Sequence, residues 1–387
     1  MKRLVCSLDG TWNDDDGPLP LTNVAKLHSA IPPRDRRGVR QLVRYISGIA
    51  TEEGRRFNFL RGAFGIDVAG RIKLAYEFLR DAYVPGDEIY LFGFSRGAYE
   101  ARSLASFVTL FGIARKDNDF SLDEAWDLYR QSDHKRDVDT LARLSSGCHY
   151  PVRIRCLGVW DTVGNIGNPI SGPARLSRRL AFHDMRLHDT IDVALHALAI
   201  DETRGPFRPT LFALPEGTRL APGQHVEQVW FPGTHADVGG GWPDTALSDI
   251  SLLWMAQRVA AKTGLKIDLA KLKRSSHPDP LGLQHHSATG WIYAFSRRVP
   301  FRRVVQENLG TSSIRRRRWR TGKLPDGLVS VNEMVHDSVF ARLGQTVSEA
   351  RGPSVHEIVY QPEANSAGVA MALDAEILAP ANEMRVA

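Results

Sequence analysis

Three residues stand where this sequence passes from an apolar run into a turn: Ser95, Asp161 and His235. Together these types do nucleophilic chemistry on an acyl group. A serine hydroxyl is a poor nucleophile until a histidine takes its proton, and an aspartate fixes the histidine tautomer and stabilises the imidazolium that forms. Ser95 has the most specific setting, Gly93-Phe94-Ser95-Arg96-Gly97, a G-x-S-x-G pattern between a strand-like run and a helical one. A serine on so sharp a turn needs small neighbours, because side chains at 93 and 97 would collide with adjoining backbone. Without those flanks the pattern is common by chance, and Ser95 would merely cap a helix.

Each partner has a rival. Asp237 competes for the acid role and His336 for the base. Asp161 is preferred because it ends a strand of its own, whereas Asp237 shares a short loop with His235, and His235 is preferred to His336. Developing oxyanion charge would fall to two backbone N–H groups, those of Arg96, just after the nucleophile, and of Gly10, in the polar loop 9–13. The alternative for that loop is a tight turn in which Asp9 bonds its own backbone. His183, Asp184, His188 and Asp189 have helical spacing but read as polar surface. The glycines at 239–241 lack the lysine and the serine or threonine of a phosphate loop. No metal and no cofactor is expected.

Elements must carry these residues to one place. Strand-like runs occupy 3–8, 42–46, 88–92, 152–160 and 226–231. Helical periodicity marks 67–83, 121–131 with Ser121 as cap, 191–198 and 248–262, and His196 then reads as a packed or helix-surface histidine. After Ser95, the small residues Ala98, Ala101 and Ala105 give a thin helical face that can lie close to a sheet. The stretch 133–146 is polar, and 168–173 is an irregular excursion suited to a cap. Helices and strands in alternation predict an α/β fold, a mainly parallel sheet covered on both faces. Loops at the carboxyl ends of such strands emerge at one edge, where residues distant in sequence meet. The order Ser, Asp, His is that of an α/β-hydrolase. The expected division is a catalytic region over 1–265 and cap or appended elements over 266–387.

At 387 residues, 43% hydrophobic and 24% charged, the chain has ample core and ordinary composition. No apolar run reaches transmembrane length, and the first eight residues are too short for a secretory signal. Cytoplasmic synthesis is the expectation, with any export by a route that cleaves no signal. Cys6, Cys148 and Cys156 are odd in number and lack C-x-x-C spacing, which argues against a disulfide framework and a zinc site. The formal charge of +6 is uneven, with Arg315, Arg316, Arg317, Arg318 and Arg320 grouped around Trp319. Such a stretch suits the phosphates of an anionic membrane surface, unless it is a solvated loop. Nucleic acid is not the expected partner.

Several segments also resemble, in order, one known family: Asp9-Gly-Thr-Trp-Asn13, Thr22-Asn-Val24, Leu91-Phe-Gly-Phe-Ser-Arg-Gly-Ala-Tyr99, Val159-Trp-Asp-Thr-Val163, His196-Ala-Leu-Ala-Ile-Asp-Glu202 and Phe231-Pro-Gly-Thr-His-Ala-Asp-Val-Gly-Gly-Gly241. They resemble the α/β-hydrolase family DUF2235, which includes the catalytic domain of Tle1-type phospholipase effectors of bacterial type VI secretion. The resemblance spans residues 3–265. It implies a serine esterase of the phospholipase type that needs no metal, with Ser95, Asp161 and His235 at the triad positions. Unlike those effectors, the chain is expected to carry no extra adaptor domain and no long apolar membrane-binding segment. The expected activity is a phospholipase A-type ester hydrolysis. Its rivals are an esterase for a soluble acyl or polysaccharide ester, and a non-catalytic binding module that uses the basic stretch 315–320.

Overall fold

In a computed structural model, which describes residues 1–10, 20–48, 66–163, 187–204, 207–286, 301–303, 320–321 and 327–362, the short apolar runs become strands because each can bury both faces. In β1 (Arg3–Leu8), Leu4, Cys6 and Leu8 turn to one side and Val5 to the other, and all four are fully buried. Six strands join it: β2 (Gln41–Ile46), β3 (Glu88–Phe94), β4 (Ile154–Trp160), β5 (Ile191–Ala199), β6 (His225–Phe231) and β7 (Glu333–Val335). The sheet runs β7-β6-β5-β4-β3-β1-β2, and every pairing is parallel. This is the α/β-hydrolase-like architecture expected of the alternating pattern.

Helices cover both faces. On one side α2 (Ile66–Ala82), α3 (Arg96–Phe111) and α4 (Leu122–Tyr129) bury Tyr76, Leu79, Phe107 and Trp126 against Leu4 and Leu91. Across the sheet, α1 (Asn23–Ser29) packs with two later helices over Val24, Leu27, Val5 and Phe92. Ser121 caps α4 as predicted, accepting from the Glu124 amide at 3.2 Å. Ala98, Ala101 and Ala105 are buried, so α3 lies close on the sheet. The polar stretch 133–146 contains a short helix, α5 (Val138–Ser146). After β6 come α6 (His235–Gly239), α7 (Ala246–Thr263) and α8 (Leu269–Ser275), and α9 (Asp337–Arg342) follows β7. The second-face helices are α7 and α8, which contribute Leu252, Val259 and Leu272.

One element differs from its reading. The segment expected as a helix at 191–198 is strand β5. Ile191, Ala194, Leu195 and Leu198 match a helical stripe, but they also suit a strand flanked on both sides, by β4 and β6, where two-sided burial erases alternation. Residues 168–173, His183, Asp184, most of loop 9–13 and the arginines 315–318 lie outside the described residues, and of Arg320 only the backbone is described.

Residues beyond 265 supply more than trailing chain. β7 extends the main sheet beside β6, and Trp230 Nε1 donates to Glu333 Oε2 at 2.9 Å across that pairing. Tyr360 Oη donates to Asp201 Oδ2 at 2.9 Å. Among the described residues no helix is long and apolar enough to cross a membrane. The three cysteines are buried and unpaired.

Candidate active site

The turn between β3 and α3 is a constrained stretch of backbone. Ser95 has φ 58° and ψ −119°, a conformation that side-chain-bearing residues rarely adopt. Holding it costs on the order of 1–3 kcal/mol, which the surroundings must supply. They do so through packing and hydrogen bonds. A Cβ at Gly97 would overlap the Leu8 carbonyl, and one at Gly93 would overlap the Gly97 carbonyl, so α3 can start this close to β1 only with glycine at both. The Ser95 amide donates to Trp160 O at 3.0 Å. Phe94 stands opposite Trp160 in the β3–β4 register, which sets Ser95 beside Asp161.

Asp161, Ser95 and His235 are brought together. His235 opens α6, whose cap is built from Thr234 and Asp237. Its Nδ1 lies 2.6 Å from Asp161 Oδ2 and its Nε2 2.8 Å from Ser95 Oγ. Because Asp161 is ionised, the proton sits on Nδ1, and Nε2 offers its lone pair to the serine hydroxyl. Phe94 and Phe207 flank the imidazole with centroids at 4.7 and 4.9 Å. Burial pushes His235 below the ordinary histidine value, against the opposing pull of Asp161. For Asp161, burial pushes upward but is outweighed by Arg303 and His235, which hold the carboxyl well below the usual range.

The rivals are occupied elsewhere. Asp237 Oδ2 accepts from the Thr234 amide at 2.9 Å, and Asp237 Oδ1 lies 2.7 Å from His285 Nδ1. His336 caps α9 through Ser338 and stacks on Phe231 with centroids 4.6 Å apart, and burial pushes it down to about 4. His196 is fully buried on β5, where Nε2 accepts from the Thr162 amide at 3.1 Å and burial pushes it down to about 3. The Gly10 amide, expected to face an oxyanion, donates to Asp9 Oδ1 at 2.6 Å, the local turn that was the alternative for this loop. Burial pushes Asp9 up to about 6, although Thr22, Tyr45 and Gly10 all donate to it. Among the described residues no group of three or more His, Cys, Asp or Glu could hold a metal ion.

Two further charged residues at the site carry no role that the sequence pattern marks. Arg303 reaches Asp161 with both terminal nitrogens, Nη1 to Oδ1 at 2.5 Å and Nη2 to Oδ2 at 2.9 Å. Glu202 Oε2 accepts from the His235 amide at 3.3 Å and pairs with Arg204 Nη2 at 2.8 Å. Burial would raise Glu202, but Arg204 prevails and holds it down at about 2. Glu202 closes the family-like segment 196–202 without a spacing that marks its role, and Arg303 lies among arginines and prolines with no periodicity.

The family described as "T6SS, Phospholipase effector Tle1-like, catalytic domain" matches residues 2–258. An uncharacterised protein of Saccharomyces cerevisiae is 28% identical over 233 residues, 54% of this chain and 33% of the yeast protein. The crystal structure of an uncharacterised protein from Pseudomonas aeruginosa is similar over 72% of this chain and 49% of that one, with 19% identity and a TM-score of 0.44. A Tle1 effector bound to the VgrG spike of the type VI secretion system is similar over 63% of this chain and 51% of that one, with 19% identity and a TM-score of 0.36. The chain thus spans a third of the length of that yeast relative and about half of each solved chain.

Proposed function

The chain belongs to the family of Tle1-like catalytic domains of type VI secretion phospholipase effectors, and from that premise we propose that it is a serine-dependent carboxylic ester hydrolase acting on phospholipid, a phospholipase of the A type. The observation that carries the proposal is the file Ser95 Oγ, His235 and Asp161, with steps of 2.8 and 2.6 Å at the carboxyl edge of a parallel sheet. Ser95 Oγ attacks the acyl carbonyl as its proton passes to His235 Nε2. The tetrahedral oxyanion takes a hydrogen bond from the Arg96 amide at the start of α3, where the helix N-terminus favours negative charge. Gly10 can serve as second donor only when its amide leaves the Asp9 carboxylate. His235 then protonates the departing alkoxide, and a water activated by the same nitrogen hydrolyses the acyl-serine.

The first test is labelling by a fluorophosphonate, which reports an activated serine whatever the true substrate. Labelling should be lost in Ser95→Ala and His235→Ala and kept in His336→Ala. Retention in Ser95→Ala would sink the assignment. Substrate class is tested separately, by fatty-acid release from phospholipid vesicles against hydrolysis of short soluble esters. A strong preference for the soluble esters would replace the lipid with a soluble acyl or polysaccharide ester. The arginines 315–318 and Arg320 are proposed to draw the enzyme to anionic bilayers, each adding on the order of 1 kcal/mol near the surface. Vesicle binding unchanged on neutralising 315–318, at low and moderate salt, would remove that role.

A further inference from the structure

Arg303 lies beyond residues 2–258, the part of the chain matched to the family, yet its side chain is fully buried against the candidate acid. Nη1 also donates to Ala199 O at 2.5 Å and Nη2 to Phe207 O at 2.7 Å, so the fork is fixed from both sides. The Ala199 amide donates to Asp161 Oδ1 at 3.0 Å. Among the described residues each carboxylate oxygen thus has two partners, and of these only His235, on Oδ2, leads to the serine. A lysine would supply the charge but not this planar two-point grip.

We propose that Arg303 is a positioning residue for the triad, clamping the Asp161 carboxylate in one orientation and offsetting its charge so that His235 remains the neutral base that Ser95 requires. The inference rests on the serine-hydrolase reading above. With Arg303 in place, ionised Asp161 and neutral His235 leave the buried group electrically balanced. Without it the same pair carries a net negative charge away from water and takes up a proton at higher pH, as imidazolium or as carboxylic acid. As imidazolium the base itself is lost, and as carboxylic acid the anion that holds the Nδ1–H tautomer is lost. Among the other nearby charges, Arg204 lowers His235 and Glu202 raises it, and these two are paired with each other beside the His235 backbone, so their effects oppose. Asp237, on the helix of His235, is turned to His285. Behind Asp161, His196 is kept neutral by burial, and Arg102 is held by the Thr210 and Leu211 carbonyls.

The test is the pH profile of fluorophosphonate labelling in the full chain, for the wild type, Arg303→Met, Arg303→Lys and Ser95→Ala. In Arg303→Met the acid limb should move to higher pH by about one unit or more, so that labelling falls roughly tenfold further at mildly acid than at alkaline pH. Arg303→Lys should keep most of the wild-type midpoint while labelling more slowly. An arginine that only supports the fold would lower labelling equally at every pH, and an unshifted midpoint in Arg303→Met overturns the proposal. Loss of labelling in Ser95→Ala, measured alongside, shows whether a failure belongs to Arg303 or to the hydrolase reading. Should Arg303→Met not fold, NMR of ring-labelled histidine in the wild type decides. His235 should stay neutral to below about pH 6.5, the ordinary imidazole value, and protonation at or above it overturns the proposal.

Discussion

Asp161 makes two kinds of contact, one toward chemistry and one toward the interior, so its replacement has two separable effects. Asp161→Asn should slow labelling by about 10⁴-fold through loss of the histidine tautomer. It should also destabilise the protein by about 3–5 kcal/mol, because the Arg303 guanidinium is left buried without its counter-charge. Urea unfolding measures the second effect independently, and the double variant Asp161→Asn/Arg303→Met should recover stability without activity. His235 titrates below its ordinary value, so the acid limb of the wild-type rate should lie below about pH 6.5. Asp161 is held below its unfolded value, so its stabilising contribution is complete above about pH 4 and is lost as pH falls through the folded value. His235 acts in the same sense from about pH 6.5 downward, and thermal melts across the acid range should show the midpoint falling.

Elements carry the site through close approaches that tolerate little change. Gly97→Ala would force α3 away from β1 at the Leu8 carbonyl, and should cost about 3 kcal/mol or more together with labelling. Gly70→Ala is the control, since nothing lies within 4 Å of a Cβ there, and on helix α2 it should stabilise by up to about 1 kcal/mol. Urea midpoints of both variants check the contrast. Much of this layer was legible in the sequence. Runs such as 226–231 are short, apolar and bounded by turn residues, and the glycines at 93 and 97 announce a turn that nothing larger fits. Where legibility failed, the cause is physical. In β5 the residues Ile191, Ala194, Leu195 and Leu198 satisfy a helical period while lying in a strand buried on both faces. β7 has three residues, too few to show any period, and Arg303 acts through a contact distant in sequence that no local pattern encodes.

The whole molecule is knit together by parts that lie far apart along the chain. β7 covers the edge of β6, and Arg303 completes the surroundings of Asp161 from beyond residue 265. A chain ended after 265 should therefore expose β6 to edge association and fail to label, which gel filtration and fluorophosphonate labelling would check together. The buried cysteines bear on a different matter, the compartments this protein can pass through. Cys6 on β1 and Cys156 on β4 have β3 between them and face opposite sides of the sheet, roughly 10 Å apart at two strand spacings, too far for a disulfide. Burial pushes Cys148 up to about 11, so little thiolate forms there near neutral pH. Once folded, the chain should keep the same stability whether the surrounding thiol pool is reduced or oxidised, and only its unfolded form is open to mispairing.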